Sequence, residues 1–131
     1  MRFRFGLDHF SLLVEDIDRS VAFYRDVMGF TPIERETRSH NVWLEIGGGD
    51  AIHLIVRGQG ESHVTKDTHV AVSTSDFDAF VAHLTGLGVD FEDWDGNPRR
   101  SNVHRNGFRQ VYLRDPDGYW IEINDHRAPA A

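Results

Sequence analysis

The alternation of apolar and polar positions predicts the same order of elements in both halves of the chain. In the first half, period-two alternation predicts a strand over 7–14, and apolar residues at helical spacing predict a helix that ends at Gly29. Three further strands are predicted over 31–37, 41–46 and 51–56, with three consecutive glycines between the last two. The first half is therefore predicted to fold as βαβββ.

The second half shows the same pattern. A helix is predicted between Asp76, as its N-cap, and Gly88, as its end. Residues 95–106 are polar and rich in turn formers, which predicts a long hairpin loop, and the Pro116 and Gly118 positions predict a type I turn. The predicted strands lie at 68–73, 89–93, 110–114 and 120–124.

Specific residues recur between the halves. His9 and Asp16 return as His69 and Asp76, sixty positions later, and 51–55 matches 120–124. A repeat of this length indicates one supersecondary unit used twice. We therefore predict one α+β domain over 1–131, with βαβββ modules at about 7–56 and 67–125 joined by a polar linker at 57–66.

Strand parity separates an apolar face from a polar one, because side chains two positions apart share a face. The apolar face, expected to pack under the helices, carries Phe10, Leu12, Val14, Ile52, Leu54, Val56, Val70, Val72, Ile121 and Ile123. The opposite face carries four side chains of metal-binding type: His9, His53, His69 and Glu122. A divalent metal would satisfy all four polar groups together if the two sheets brought them into one trough.

A single histidine on a strand is more often a surface residue than a metal ligand, so the repeat carries the metal prediction. His53 is the weakest member, since it also fits the role of a polar lining residue or of a hydrogen-bond partner to a ligand. Imidazoles with one carboxylate suit one divalent transition metal, namely Ni, Zn, Mn, Co or Fe, and do not suit Ca or Mg.

Composition excludes several function classes. The net charge of −7 argues against nucleic-acid partners, which need clustered basic residues. The absence of cysteine excludes disulfides, thiolate metal sites and a cysteine nucleophile. No run approaches the roughly 20 apolar residues of a membrane span, and the first residues lack the apolar core of a signal peptide. We expect a cytoplasmic protein with a small-molecule substrate and no nucleic-acid or membrane partner.

Four stretches carry a family resemblance: 7–12 (LDHFSL), 20–30 (SVAFYRDVMGF), 68–71 (THVA) and 112–123 (YLRDPDGYWIEI). Together they make the chain, over about 7–124, resemble the vicinal oxygen chelate superfamily. That superfamily includes glyoxalase I, fosfomycin-resistance proteins, extradiol dioxygenases, methylmalonyl-CoA epimerase and bleomycin-resistance proteins. The motifs are specific for the superfamily but not for the reaction.

The resemblance implies that the two modules form a curved, cup-shaped mixed sheet around a divalent metal, with helices on the outer face. It carries ligand roles onto His9, His69 and Glu122. Glyoxalase I has a glutamate at the fourth position, where this chain has His53, so Glu122 is left as the only candidate catalytic base. Exposed sheet edges and the resemblance together predict a homodimer, in which the metal site is shared between subunits.

The leading functional hypothesis is a divalent-metal-dependent lyase or isomerase of the glyoxalase-like type that acts on a small oxygen-chelating substrate. The alternatives are an Fe(II) extradiol-type dioxygenase, a metal-free protein that sequesters a small molecule as bleomycin-resistance proteins do, and a thiol transferase of the fosfomycin-resistance type. The loop 99–105 is the natural lid, although it fits equally well as a solvated loop of an acidic protein. The predicted substrate-binding residues are Ser11, Trp43, Arg100, His104 and Arg109.

Overall fold

The computed structural model describes residues 3–4, 6–35, 41–56 and 63–126, and it confirms the α+β fold with two tandem βαβββ modules. The chain divides into two compact units, Met1–Ser62 and His63–Ala131. The end of the predicted strand 31–37 and most of the predicted linker lie outside the described residues. None of the described helices is long and apolar enough to cross a bilayer.

The first unit is a four-stranded mixed sheet with one helical segment. Its strands follow the order β1-β4-β3-β2, with β1 and β4 parallel and the other neighbours antiparallel. The elements are β1 (His9–Val14), α1 (Ile17–Ala22), β2 (Thr31–Ile33), β3 (Asn41–Gly47) and β4 (Asp50–Val56). The helix α1 contacts β3 and β4.

The second unit repeats this topology. Its strand order is β5-β8-β7-β6, again with the first pair parallel and the others antiparallel. The elements are β5 (His69–Ser73), α2 (Phe77–Leu87), β6 (Asn102–Val103), β7 (Arg109–Arg114) and β8 (Trp120–Asn124). All five residues of β8 are buried, as expected for a strand with a neighbour on each side.

The first helical segment begins as the sequence predicts but continues differently. Asp16 accepts a hydrogen bond from the backbone of Arg19, which is the capping bond expected of an N-cap aspartate. After α1 the chain continues as a π-helix, Phe23–Val27, in which Met28 N–H bonds to the Phe23 carbonyl five residues back. Apolar spacing does not distinguish this wider turn from an α-helix.

The second helix ends as predicted and begins with a different cap. Gly88 adopts a left-handed φ of 69°, and its N–H bonds to the carbonyls of Leu84 and Thr85. Asp76 occupies the N-cap position, but its side chain makes no capping hydrogen bond. Its backbone N–H instead bonds to the Thr74 hydroxyl.

The strand predicted over 89–93 is wrong. Only Glu92 in this stretch is paired, through isolated bridges to Pro98 and to Tyr112 of β7. The predicted loop 95–106 contains the two-residue strand β6. The turn before β8 carries the predicted hydrogen bond, from Gly118 N–H to the Asp115 carbonyl, at 3.0 Å.

The strand registers place the candidate residues on common faces within each unit. In the first unit, Ser11 and Trp43 both lie opposite His53, on β1 and β3 respectively. In the second unit, Tyr112 of β7 and Ala71 of β5 lie opposite Glu122. Residues opposite each other in a ladder share a face. Each unit therefore has one polar face that contains two of the four predicted ligands.

Candidate functional site

His69 and Glu122 lie side by side on the polar face of the second unit. The Nε2 atom of His69 is 3.4 Å from Oε1 of Glu122. The parallel pairing of β5 with β8 produces this approach, because it puts Ala71 opposite Glu122 and His69 two residues before it on the same face. The carboxylate is buried, with 6% of the residue exposed.

Three neighbouring side chains donate hydrogen bonds to the Glu122 carboxylate. The Gln110 amide and the Tyr112 hydroxyl donate to Oε1 at 2.9 and 2.6 Å, and the Asn124 amide donates to Oε2 at 2.6 Å. Burial by itself would raise the pKa of Glu122, but these hydrogen bonds and the nearby His69 outweigh burial and lower the pKa. Glu122 is therefore held as an ionised carboxylate.

Tyr112 remains a donor to Glu122 across the whole physiological range. Burial raises the pKa of the Tyr112 hydroxyl, and the hydrogen bond to Glu122 raises this pKa further. A protonated hydroxyl that faces an ionised carboxylate forms a charge-assisted hydrogen bond, which is the stronger class.

The ring of His69 is oriented by the backbone. Its Nδ1 lies 2.8 Å from the Lys66 carbonyl oxygen. A carbonyl can only accept, so Nδ1 carries the proton, and the lone pair of the neutral ring is on Nε2, the atom beside Glu122. Histidines that bind metals commonly donate their other ring N–H in this way.

His9 in the first unit is oriented by a carboxylate. Its Nδ1 lies 2.6 Å from Oδ2 of Asp8, which also accepts a hydrogen bond from Arg35 at 2.6 Å. These two hydrogen bonds, from His9 first and then Arg35, lower the pKa of Asp8. The Asp8 carboxylate therefore accepts from Nδ1, which leaves Nε2 of His9 for a ligand role.

Trp43 connects the two candidate histidines of the first unit. Its indole ring stacks on the His53 ring at 3.8 Å with 9° between the planes, and it meets the His9 ring edge-on at 4.8 Å. The His9 and His53 ring centroids are 5.9 Å apart. The Arg35 guanidinium covers the Trp43 ring at 4.4 Å.

The donor atoms present fit a divalent transition metal. Two atoms that each bind one ion at about 2.1 Å can be at most about 4.2 Å apart, and the 3.4 Å between His69 and Glu122 satisfies this limit. Imidazole nitrogen with carboxylate oxygen is also the donor chemistry of Zn, Ni, Mn, Co and Fe. Among the described residues, however, no cluster of three or more His, Asp or Glu residues could hold a metal. The structure brings the four predicted ligands together as two pairs.

Of the predicted substrate-binding residues, two share a face with a predicted ligand. Ser11 lies on β1 directly opposite His53, and Trp43 stacks on that histidine. Arg100 is exposed in the loop before β6. His104 stacks on Phe108 within the β6–β7 hairpin, with ring centroids 4.3 Å apart.

Arg109 lies on the face of β7 that is opposite to the Glu122 side. Its guanidinium forms ion pairs with Asp78 at 2.6 Å and Asp125 at 2.9 Å, and it covers the ring of Phe77 at the start of α2. Arg109 is an odd number of positions from Tyr112 on β7, so it faces away from Glu122. We therefore do not assign Arg109 to the candidate site.

The residues that support the two pairs were not among the predicted site residues. Strand alternation can predict three of them once β7 is paired with β8, because Gln110, Tyr112 and Asn124 then lie on the same face as Glu122. Asp8 lies directly before β1 and Lys66 lies in the turn before β5, and neither position has a periodic signal.

Comparison with known proteins identifies the family. Residues 6–123 match the model of the Glyoxalase/Bleomycin resistance protein/Dioxygenase superfamily. The chain belongs to this superfamily. Two similar proteins are Glyoxylase I 4 of Arabidopsis thaliana, 31% identical over 90% of this chain and 69% of that protein, and the metallothiol transferase FosB of Shouchella clausii, 29% identical over 91% of this chain and 79% of that protein.

Two solved structures have the same fold as this chain. The oxidase ChaP-H2 superposes with a TM-score of 0.76, 23% identity and 98% coverage of both chains. The lactoylglutathione lyase of Agrobacterium tumefaciens superposes with a TM-score of 0.71 at 21% identity, over 92% of this chain and 93% of that one. At these identities the likeness shows the fold alone.

Proposed function

We propose that the protein is a divalent-metal-dependent enzyme of the glyoxalase-like type, a lyase or isomerase that acts on a small oxygen-chelating substrate. The observation that carries this proposal is the pairing of His69 with a buried, ionised Glu122 at 3.4 Å. Three donors hold that carboxylate in place, and a backbone carbonyl directs the lone pair of His69 toward it.

We assign His9, His53, His69 and Glu122 as the residues that would hold the ion. An ion bound there would act as a Lewis acid on neighbouring substrate oxygens. Asp8 and the Lys66 carbonyl keep the protons of His9 and His69 on Nδ1. Trp43 stacks on the His53 ring and would fix its plane, and Ser11, opposite His53, would hydrogen-bond a substrate oxygen.

A thiol transferase of the fosfomycin-resistance type is the second candidate, and the hydrogen bonding of Glu122 favours it. Glyoxalase-type proton transfer needs a carboxylate base, and a base works best when its pKa is near the working pH. Three donors lower the pKa of Glu122 instead, which suits a ligand better than a base. The similarity to the metallothiol transferase FosB is consistent with this second reaction class.

Elemental analysis of the protein purified without added metal tests the metal proposal. We expect about one divalent transition metal per chain, and a sharp loss in His69→Gln and in Glu122→Gln. His83→Gln is the matched control, because His83 is exposed on α2 and outside the site. Full metal retention in both site variants would contradict the proposal, and absence of metal in the wild type would support sequestration of a small molecule instead.

Activity assays on the loaded protein separate the reaction classes. We expect little or no turnover of the methylglyoxal–glutathione adduct, because His53 stands where glyoxalase I has a carboxylate. Thiol addition to fosfomycin would support the transferase. Oxygen consumption by the iron-loaded protein in the presence of a catechol would support the dioxygenase. Rapid turnover of the glutathione adduct would show that Glu122 suffices as the base.

A further inference from the structure

Lys66 is the only lysine in the sequence, and its ammonium is held by three acceptors. The Nζ atom donates to Oε2 of Glu92 at 2.7 Å and to the backbone carbonyls of Asp93 and Trp94, both at 2.9 Å. An ammonium has three hydrogens, so these contacts match its whole donor capacity. The side chain is 19% exposed.

Aromatic rings surround the same ammonium. Nζ lies 4.8 Å from the ring centre of Trp120, 5.2 Å from that of Tyr112 and 5.5 Å from that of Trp94. All three distances are within the range of cation–π attraction. Ion pairing, two carbonyl contacts and three rings therefore fix one side chain that the functional proposal leaves without a role.

The three rings of Trp94, Tyr112 and Trp120 form a cage around the Lys66 ammonium. Lys66 contacts His69 directly and contacts Glu122 through Tyr112. Its own backbone carbonyl accepts the Nδ1–H of His69. One ring of its cage belongs to Tyr112, which donates to Glu122. The His69 and Tyr112 rings also meet edge to face, with their centroids 5.5 Å apart.

We infer that Lys66 is a positioning residue for the His69–Glu122 pair. Its ammonium anchors the turn in which Thr68 N–H bonds to the Thr65 carbonyl, and this anchoring holds the Lys66 carbonyl where it keeps the His69 proton on Nδ1. This inference rests on the proposed metal-binding function of the pair. The orientation of His69 can nevertheless be measured in the protein without metal.

The anchoring predicts a specific consequence for His69. Without the ammonium, the Glu92 carboxylate and two carbonyls lose their common donor, and the 65–68 turn is free to shift. The His69 proton would then redistribute toward Nε2, the nitrogen that an unconstrained imidazole prefers to protonate. Groups that orient a metal-bound histidine typically change metal affinity by about 10–100-fold when removed.

Lys66→Met is the test variant, because it keeps an unbranched apolar side chain as far as Cε and the backbone carbonyl while removing the ammonium. Arg114→Met is the matched control: its guanidinium covers the same Trp120 ring at 4.3 Å but makes none of the contacts to His69 or Tyr112. If Lys66→Met folds poorly because Glu92 is left with an unpaired charge, the double variant Lys66→Met with Glu92→Gln removes both charges and keeps the comparison valid.

Two measurements are made on each variant after circular dichroism has confirmed the fold. Nitrogen-15 NMR of the imidazoles in the metal-free protein reports which His69 nitrogen carries the proton, with His69→Gln used to assign the signal. Competition with a chromogenic chelator gives the affinity for Zn²⁺ or Ni²⁺. A merely stabilising lysine would change neither the tautomer nor the affinity of the folded protein.

We expect the Nδ1–H form of His69 in the wild type and in Arg114→Met, and a mixed or Nε2–H form with about 10–100-fold weaker ion binding in both Lys66 variants. Unchanged tautomer and affinity in folded Lys66→Met would overturn the inference. If the wild type binds no ion, the functional proposal fails, and the His69 tautomer alone decides the role of Lys66: a shift supports it and an unchanged tautomer rejects it.

Discussion

The hydroxyl of Tyr112 donates a 2.6 Å hydrogen bond to Oε1 of Glu122, directly across the β7–β8 ladder in which these two residues are paired. The strand register alone brings the two side chains together, and burial makes their contact a strong one. Tyr112 also joins the Lys66 cage to the carboxylate. The candidate site therefore depends on the packing of the sheet as much as on its predicted ligands.

Replacing Tyr112 with Phe should destabilise the fold and remove one of the three hydrogen bonds that hold the Glu122 carboxylate. A hydrogen bond to a charged group contributes about 1.5–3 kcal/mol, and its loss leaves Oε1 with one donor fewer. We expect a fall of about 2 kcal/mol in the free energy of unfolding, measured by urea denaturation, and weaker ion binding. The pKa of Glu122 should rise toward its ordinary value.

A double-mutant cycle with Glu122→Gln provides the control for this prediction. If the two residues interact as the structure indicates, the two single changes should cost more in sum than the double variant. Strict additivity would mean that Tyr112 acts through ring packing alone.

We expect Arg109 to stabilise the fold by an amount that depends on pH, and to take no part in substrate binding. Backbone and side-chain hydrogen bonds from Arg109 lower the pKa of Asp125. A carboxyl whose pKa is lower in the folded state contributes stability above its unfolded pKa, about 3.9, and loses it as the pH falls through the folded value. Asp125→Asn should therefore lower Tm by about 3–5 °C at pH 7 and have a smaller effect near pH 3.

Thermal unfolding at the two pH values, followed by circular dichroism, tests this dependence. Asp90→Asn is the control, since it makes the same change in net charge at an exposed position of the same unit. An effect of Asp125→Asn that is equal at both pH values, or a loss of substrate binding in Arg109→Ala without loss of stability, would count against the assignment.

Trp43 should act through the face of its ring. Its Nε1–H has no hydrogen-bond partner among the described residues, so removing that donor costs little. The stacked contact with His53 is lost only when the aromatic ring is lost. We expect Trp43→Phe to preserve ion affinity, whereas Trp43→Leu should lower it about 10-fold and cost about 2–3 kcal/mol of stability.

Chelator competition and urea denaturation on the two Trp43 variants check this expectation. Equal loss of affinity in both variants would show that the indole N–H, and not the stacked ring, matters for the site.

The final prediction concerns assembly. We expect a homodimer in which His9 and His53 of one subunit meet His69 and Glu122 of the other. The sheet edges that a lone module would expose and the family resemblance support a dimer, and each unit carries one of the two pairs that would meet. Chains carrying His9→Ala and chains carrying Glu122→Ala should each bind no metal. A mixed dimer should regain one intact site.

Subunit exchange followed by elemental analysis measures this recovery, and light scattering at micromolar concentration gives the oligomeric state. His9→Ala mixed with itself is the control for the exchange procedure. A monomeric wild type, or no recovery of metal binding after verified exchange, would reject the shared site.

The sequence by itself determined the faces of the strands and the repeated βαβββ order, although it misplaced the second strand of the second module at 89–93. Alternation with a period of two is local, so the common polar parity of His69 and Glu122 could be read before any pairing was known. The positions of Asp16 and Gly88 at helix ends followed from the local chemistry of capping. The internal repeat and the strand parity located the four candidate ligands, and the family resemblance carried ligand roles onto His9, His69 and Glu122.

Only the tertiary structure decided what surrounds them. The bonds from Gln110 and Tyr112 to Glu122 depend on the β7–β8 register, and the side on which Arg109 lies depends on the same register. The cage around Lys66 joins residues from a turn, a loop and two strands. Such contacts form between segments that are distant along the chain, and local periodicity carries no information about which distant segments will meet.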